Sequence, residues 1–167
     1  MIKGSDFIIK DGVLEGYLGE KGDVILPEGV TAIGESAFAD CEVLESIVVP
    51  EGVTEIGAHA FSYCDALHTV TLPQSLEVLG EYAFHHCEAL THVELPDAIT
   101  FIEPGTFQEC MALTSVHLPE SLTGIGAEAF SLCISLEKLD FPEDLTELGE
   151  EAFANCESLT SGAGKRR

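Results

Sequence analysis

Glu94, His117 and Asp140 follow one another at intervals of 23 residues, and His92 stands two places before Glu94. Two imidazoles and two carboxylates are a donor set that can hold a divalent metal. The same groups serve in general acid–base chemistry. They also have the composition of a solvated sheet face with favourable cross-strand charge pairs. The solvated face is the preferred expectation, a metal or ligand patch at His92, Glu94, His117 and Asp140 is the alternative, and catalysis is not expected.

Six cysteines, Cys41, Cys64, Cys87, Cys110, Cys133 and Cys156, keep the same step. None forms a Cys-x-x-Cys pair, so zinc spacing is absent. Stacked units would bring neighbouring cysteines to about 5 Å, a separation that permits a disulfide. Their place between apolar columns instead predicts packed, reduced thiols that behave as small hydrophobes. His85 and His86 precede Cys87. With Phe84 and Cys87 directed into a core, both histidines are expected to point outward from a turn, without a metal. Two acidic columns complete the inventory: Glu28, Glu51, Gln74, Asp97, Glu120 and Glu143, and then Glu42, Asp65, Glu88, Met111, Ile134 and Glu157. Stacked carboxylates repel by roughly 1 kcal/mol per pair in water, which weak cation binding would relieve; a solubilising face is the preferred reading. No nucleophile motif, phosphate loop or dinucleotide fingerprint occurs, so the chain is expected to be no enzyme and to need no cofactor.

The elements that must position these residues are set by the period. Proline recurs at Pro27, Pro50, Pro73, Pro96, Pro119 and Pro142, phenylalanine at Phe38, Phe61, Phe84, Phe107, Phe130 and Phe153, and leucine at Leu44, Leu67, Leu90, Leu113, Leu136 and Leu159. Further apolar columns run Val24, Ile47, Val70, Val93, Val116, Leu139 and Ile33, Ile56, Leu79, Ile102, Ile125, Leu148. A unit this short cannot bury its own apolar face, whereas stacked units build one continuous core. Each unit is therefore one coil of a solenoid. Ser46–Val49 alternates like a strand that Pro50 ends by lacking an amide donor. Val53–Ile56 reads as a second short strand, Gly57 permits a turn, and Ala60–Cys64 reads as a short helical or 3₁₀ turn.

The unit Leu-x-x-Ile-x-Leu-Pro-x-x-Val-x-x-Ile-Gly-x-x-Ala-Phe-x-x-Cys resembles the BspA-like, Treponema-type leucine-rich repeat over residues 24–160. The resemblance implies a leucine-rich-repeat right-handed coil with a parallel β-sheet face, short second strands and helical or 3₁₀ turns. It also implies an adhesin-like, cell-surface or secreted setting. One unit departs from the pattern, with Glu103-Pro104-Gly105-Thr106-Phe107 in place of Gly-x-x-Ala-Phe, so one turn should differ there.

Asp11-Gly12 between apolar runs signals a hairpin, so residues 1–23 are expected to form an N-terminal capping hairpin. Residues 24–160 are the array of about six units, and residues 161–167 a basic, disordered tail. An array without a C-terminal cap would pair through that end or continue as a longer array, and the second is the expectation.

The chain carries 30 acidic and 7 basic residues, a net charge of −23, and no arginine before Arg166. Such a chain repels phosphate backbones and anionic lipid, and no run approaches the roughly 18 apolar residues of a membrane span. No secretion signal is visible, so as a complete protein it would be cytoplasmic. Partner contact is expected on the outward strand columns, at Val48, Thr69, Thr71, His92, Glu94, Ser115, His117, Lys138 and Asp140. The sequence thus predicts a non-catalytic protein- or glycan-interaction module. A cation-stabilised module and a structural spacer are the alternatives, and self-association through the last coil remains open.

Overall fold

The structure, a computed structural model, describes residues 6–160. The expected basic tail, 161–167, lies outside the described residues. The chain is a β-solenoid whose coils repeat every 23 residues. One face carries three-residue strands: β3 (Asp23–Ile25), β5 (Ser46–Val48), β7 (Thr69–Thr71), β9 (His92–Glu94) and β11 (Ser115–His117). A second face carries two-residue strands: β4 (Ala32–Ile33), β6 (Glu55–Ile56), β8 (Val78–Leu79), β10 (Phe101–Ile102), β12 (Gly124–Ile125) and β13 (Glu147–Leu148). Pairing between coils is parallel and joins residues one period apart, as in Val24↔Ile47↔Val70 and Ile33↔Ile56↔Leu79.

Strand alternation then decides burial. The middle residues of the main strands, Val24, Ile47 and Val93, are buried, while Ile25, Val48, Thr71, Glu94 and His117 in the next column are exposed. The phenylalanine column stacks through the centre of the array, with ring centroids 5.1 Å apart for Phe38–Phe61 and again for Phe61–Phe84, 5.7 Å for Phe84–Phe107, 5.3 Å for Phe107–Phe130 and 5.4 Å for Phe130–Phe153.

At the N-terminus, β1 (Phe7–Lys10) and β2 (Val13–Tyr17) form an antiparallel hairpin with Asp11 and Gly12 at positive φ. β2 pairs in parallel with β4, which places Leu14 beside Ile33 and continues that buried column. Tyr17 continues the aromatic stack, 5.7 Å from Phe38 and 5.3 Å from Phe7. The hairpin thus lies over both the second sheet and the ring stack.

The segment read from sequence as a helical or 3₁₀ turn is a string of tight turns. Bonds of the 3₁₀ type do close it, from the amides of Ala60, Ser62 and Cys64 to the carbonyls of Gly57, His59 and Phe61. Left-handed residues at His59 and Tyr63 break the helical twist between them (φ 58° and 61°). The untwisting frees alternate amides to bond the next coil: His59 to Glu81 O, Phe61 to Ala83 O and Tyr63 to His85 O. A third ladder of hydrogen bonds therefore runs the length of the turn face.

The departing fourth unit falls where both sheets are interrupted. β7 and β9 form no ladder, nor do β8 and β10, so the sheets resume only at β9–β11 and β10–β12. The turn-face ladder crosses this junction intact, through Tyr82, Phe84 and His86 donating to Pro104, Thr106 and Gln108. Gly105 takes the left-handed position occupied by Tyr82 one coil earlier (φ 67° and 57°), and the Tyr82 ring lies where a Gly105 side chain would be.

Glycine after the second strand has a packing reason. A Cβ on Gly80 would stand 2.6 Å from Ala58 N and 2.7 Å from Gly57 C, and that backbone cannot move without moving the coil. Gly80→Ala is expected to lower stability by about 1–3 kcal/mol in urea unfolding. Gly52→Ala, which meets nothing within 4 Å but holds φ at 104°, should cost about 1 kcal/mol. Equal midpoints for the Gly80 variant and the parent chain would contradict this packing.

Candidate functional site

The outward columns of the main sheet converge on β9 and β11. Parallel register sets Ser115 beside His92 and His117 beside Glu94. His92 is held on both ring nitrogens: Nδ1 lies 2.6 Å from Ser115 Oγ and Nε2 lies 2.7 Å from Glu94 Oε2. Both residues of that contact are open to water, His92 at 47% and Glu94 at 69% side-chain exposure, so its worth to stability is small. The pair orients two side chains on the surface more than it stabilises the coil.

The last outward positions are placed less regularly. The sequence treats Lys138 and Asp140 as members of the same strand columns, yet this coil makes only an isolated bridge between Ser115 and Lys138. Lys138 Nζ turns to Asp140 Oδ1 at 3.9 Å. Among the described residues, no group of three or more His, Cys, Asp or Glu side chains is placed to hold a metal ion. The quartet His92, Glu94, His117 and Asp140 is therefore joined only at His92–Glu94. Register sets backbones 23 residues apart side by side, but His92 turns to its own strand neighbour and to Ser115. A groove of about 220 Å³ opens beside this end of the face, with His117, Leu118, Asp140 and Phe141 in its wall.

Towards β3 the same face changes character. Val48 and Ile25 are exposed at 39% and 66%, and Thr69 and Thr71 lie between them and the charged end. The column that begins at Ile25 is apolar at its start, hydroxylic at Thr71 and ionisable at β9–β11, and Asp23 stands beside its apolar start.

The six cysteines are free thiols. Each from Cys64 onward donates its S–H to the carbonyl of the phenylalanine 26 residues earlier, from Cys64 to Phe38 O at 3.1 Å through Cys156 to Phe130 O at 3.0 Å. Burial pushes the Cys64 thiol up to about 12 and the partly covered Cys156 thiol to about 11. Such thiols are poor nucleophiles and poor metal ligands at neutral pH.

On the turn face, the structure assembles a cluster that the strand columns do not show. Tyr63 stacks on His86 at 4.5 Å, and His85 meets both Tyr63 and Tyr82 edge-on. His86 Nδ1 lies 3.0 Å from Asp65 Oδ1, and its Nε2 lies 3.1 Å from Glu88 Oε2 and 3.7 Å from Glu109 Oε1. Burial opposes charge on His86, but the Asp65 hydrogen bond and the three carboxylates outweigh it, and its pKa is raised. Burial lowers the pKa of His85, with Glu109 opposing that shift and His86 and His59 adding to it. Both histidines leave the turn outward, as the sequence implies. The column 40, 63, 86, 109 carried the signal for Tyr63, His86 and Glu109; Asp65 is 21 residues from His86 and was outside it.

The model for the BspA type leucine-rich repeat region matches residues 31–160 in six copies. The chain belongs to the BspA-type leucine-rich repeat family. Solved structures agree. A leucine-rich repeat protein of Treponema pallidum superposes with a TM-score of 0.76 at 27% identity, over 98% of this chain and 92% of that one. A leucine-rich cell surface protein of Faecalibacterium prausnitzii gives 0.70 at 28% identity, over 96% of this chain and 53% of that one. A leucine-rich repeat protein of Eubacterium ventriosum gives 0.76 at 26% identity, over 89% and 47%. The chain thus spans about half the length of the last two proteins. No curated protein is significantly similar to it in sequence. Among the described residues, no helix is long and apolar enough to cross a membrane.

Proposed function

We propose that this BspA-type chain is a non-catalytic interaction module that receives a protein or glycan on the outward face of its main sheet, in an adhesin-like role at a cell surface. The observation that carries this reading is the division of each strand. Its middle residue is buried and apolar in every coil, while its outward neighbours are exposed, or half-buried at Ser46 and Ser115, and vary from coil to coil. A rigid lattice that displays variable side chains is suited to recognition. Thr69, Thr71, His92, Glu94, Ser115, His117, Lys138 and Asp140 supply hydrogen-bonding groups, and Val48 supplies apolar contact. The cell-surface setting is supported by the description of the Faecalibacterium protein.

The test is a screen of the immobilised chain against extracellular-matrix proteins and a glycan array. Thr71→Lys and His117→Asp should weaken any ligand found there by about tenfold or more, with melting temperatures within a few degrees of the parent because both side chains are exposed. A ligand whose binding survives both changes does not use this face. Unfolding of either variant would mean that the face is buried.

A further inference from the structure

The two sheets end differently at the N-terminus. The hairpin strand β2 pairs with β4 and extends the second sheet. Nothing among the described residues pairs with the outer side of β3, which is the terminal strand of the main sheet in the order β3-β5-β7. Gly22 O accepts from Ser46 N, and Leu26 N donates to Val48 O, so the backbone groups of Gly22 and Leu26 point toward β5. Alternation turns the amides and carbonyls of Asp23 and Ile25 to the opposite, open side. Unpaired strand edges of this kind are templates for another strand.

The edge also lacks the usual protections. It carries no proline within β3 and no lysine. Ile25 is exposed at 66%, and so is Leu18 in the connection that leads into β3. The adjoining charges are mainly acidic: the Asp23 carboxylate accepts the Ser46 hydroxyl at 2.7 Å, Glu45 lies against Gly22, and Glu20 is exposed, with Lys21 the single base of the connection.

We propose that β3 is a strand-addition site for an extended segment of a partner protein with a basic-x-apolar pattern. The main-chain groups of Asp23 and Ile25 bond the incoming strand. On the outward face, its basic side chain lies beside Asp23 and its apolar side chain beside Ile25. Backbone pairing of this kind supplies affinity, and the alternate side chains supply selectivity. The chain's net charge of −23 draws a basic segment in. The open main-chain edge of β3 lies at one end of the exposed columns proposed above, away from Thr71 and His117, so either reading can fail without the other.

The experiment is fluorescence anisotropy on the full chain with a fluorescein-labelled peptide in which Lys and Val alternate along one face and Thr occupies the other. Binding is expected, weakened by added salt. Ile25→Pro should reduce it by about tenfold or more, because proline removes an outward amide that the fold itself does not use and blocks the edge. Asp23→Lys should lower affinity and flatten the salt dependence, and Thr71→Lys should leave the affinity unchanged. The same peptide with N-methyl groups on alternate amides should fail to bind, which answers the question even if the proline variant does not fold. Equal binding by the N-methylated peptide or by a folded Ile25→Pro overturns the proposal. So does binding that emerges only after removal of residues 1–5, which would assign the edge to the chain's own N-terminus. Concentration-dependent dimerisation abolished by Ile25→Pro, without peptide binding, would assign it to a second copy.

Discussion

Raising the pH above about 9 is expected to unfold this protein within about two pH units. Five thiols, Cys64, Cys87, Cys110, Cys133 and Cys156, have pKa values raised by burial from the ordinary 9.0. In the unfolded chain the same thiols ionise near their ordinary value. Between that value and the raised one the unfolded state has lost protons that the native state keeps, so stability falls as pH rises. The contribution of each thiol is fully present below about pH 9 and declines by about 1.4 kcal/mol per pH unit above it. For Cys64 the decline continues to about 12 and for Cys156 to about 11. Several thiols acting together exhaust the 5–15 kcal/mol of a typical domain within about two pH units. Urea midpoints from pH 7 to 11 would show the loss, and Cys110→Ala should make the slope shallower by about one thiol's worth. A flat profile to about pH 10.5 would sink the prediction. A loss that starts only above the ordinary tyrosine value of 10.0 would point instead to Tyr17, whose pKa burial also raises.

Truncating the ring stack in the middle of the array costs far more than truncating it in the last coil. Phe61 is fully buried, with Phe38 and Phe84 each 5.1 Å away. Phe61→Ala leaves a ring-sized void lined by two other rings, and the coils cannot close over it because three hydrogen-bond ladders fix their spacing. A loss of about 3–5 kcal/mol is expected. Phe153 is only partly buried and has one stacked neighbour, Phe130 at 5.4 Å, with Phe141 edge-on at 5.7 Å. Phe153→Ala should cost less than half as much, because coils couple chiefly to their nearest neighbours. Calorimetric melting of both variants decides the matter; equal losses would mean that the array does not fold coil by coil in this sense.

The residues of the candidate face show how far the sequence reaches. Val48, Thr71, Glu94 and His117 are exposed in a single column because strand alternation and a fixed period leave no other arrangement. The alternative of a metal patch at His92, Glu94, His117 and Asp140 needs more than register: it needs side chains on adjacent strands to turn toward one another, and here His92 bonds Glu94 on its own strand and Ser115. The cysteine column was legible as packing, but the acceptor of each S–H was not. The Phe38 carbonyl that receives the Cys64 thiol lies 26 residues back, outside the period.

The sequence by itself determined the coil, its period, the two strand positions and the sorting of the repeated apolar columns to the core. These follow from a repeating pattern of apolar side chains, a one-dimensional property. Only the tertiary structure decided the rest. It placed left-handed residues in the turns, so that a helical-looking segment became a third ladder, and it broke both sheets between the third and fourth coils while leaving that ladder whole. It also set the hairpin on the second sheet and, among the described residues, left β3 as an edge. Each of these depends on where backbone amides and carbonyls find partners, and those partners belong to other coils, at spacings that the pattern of side chains does not encode.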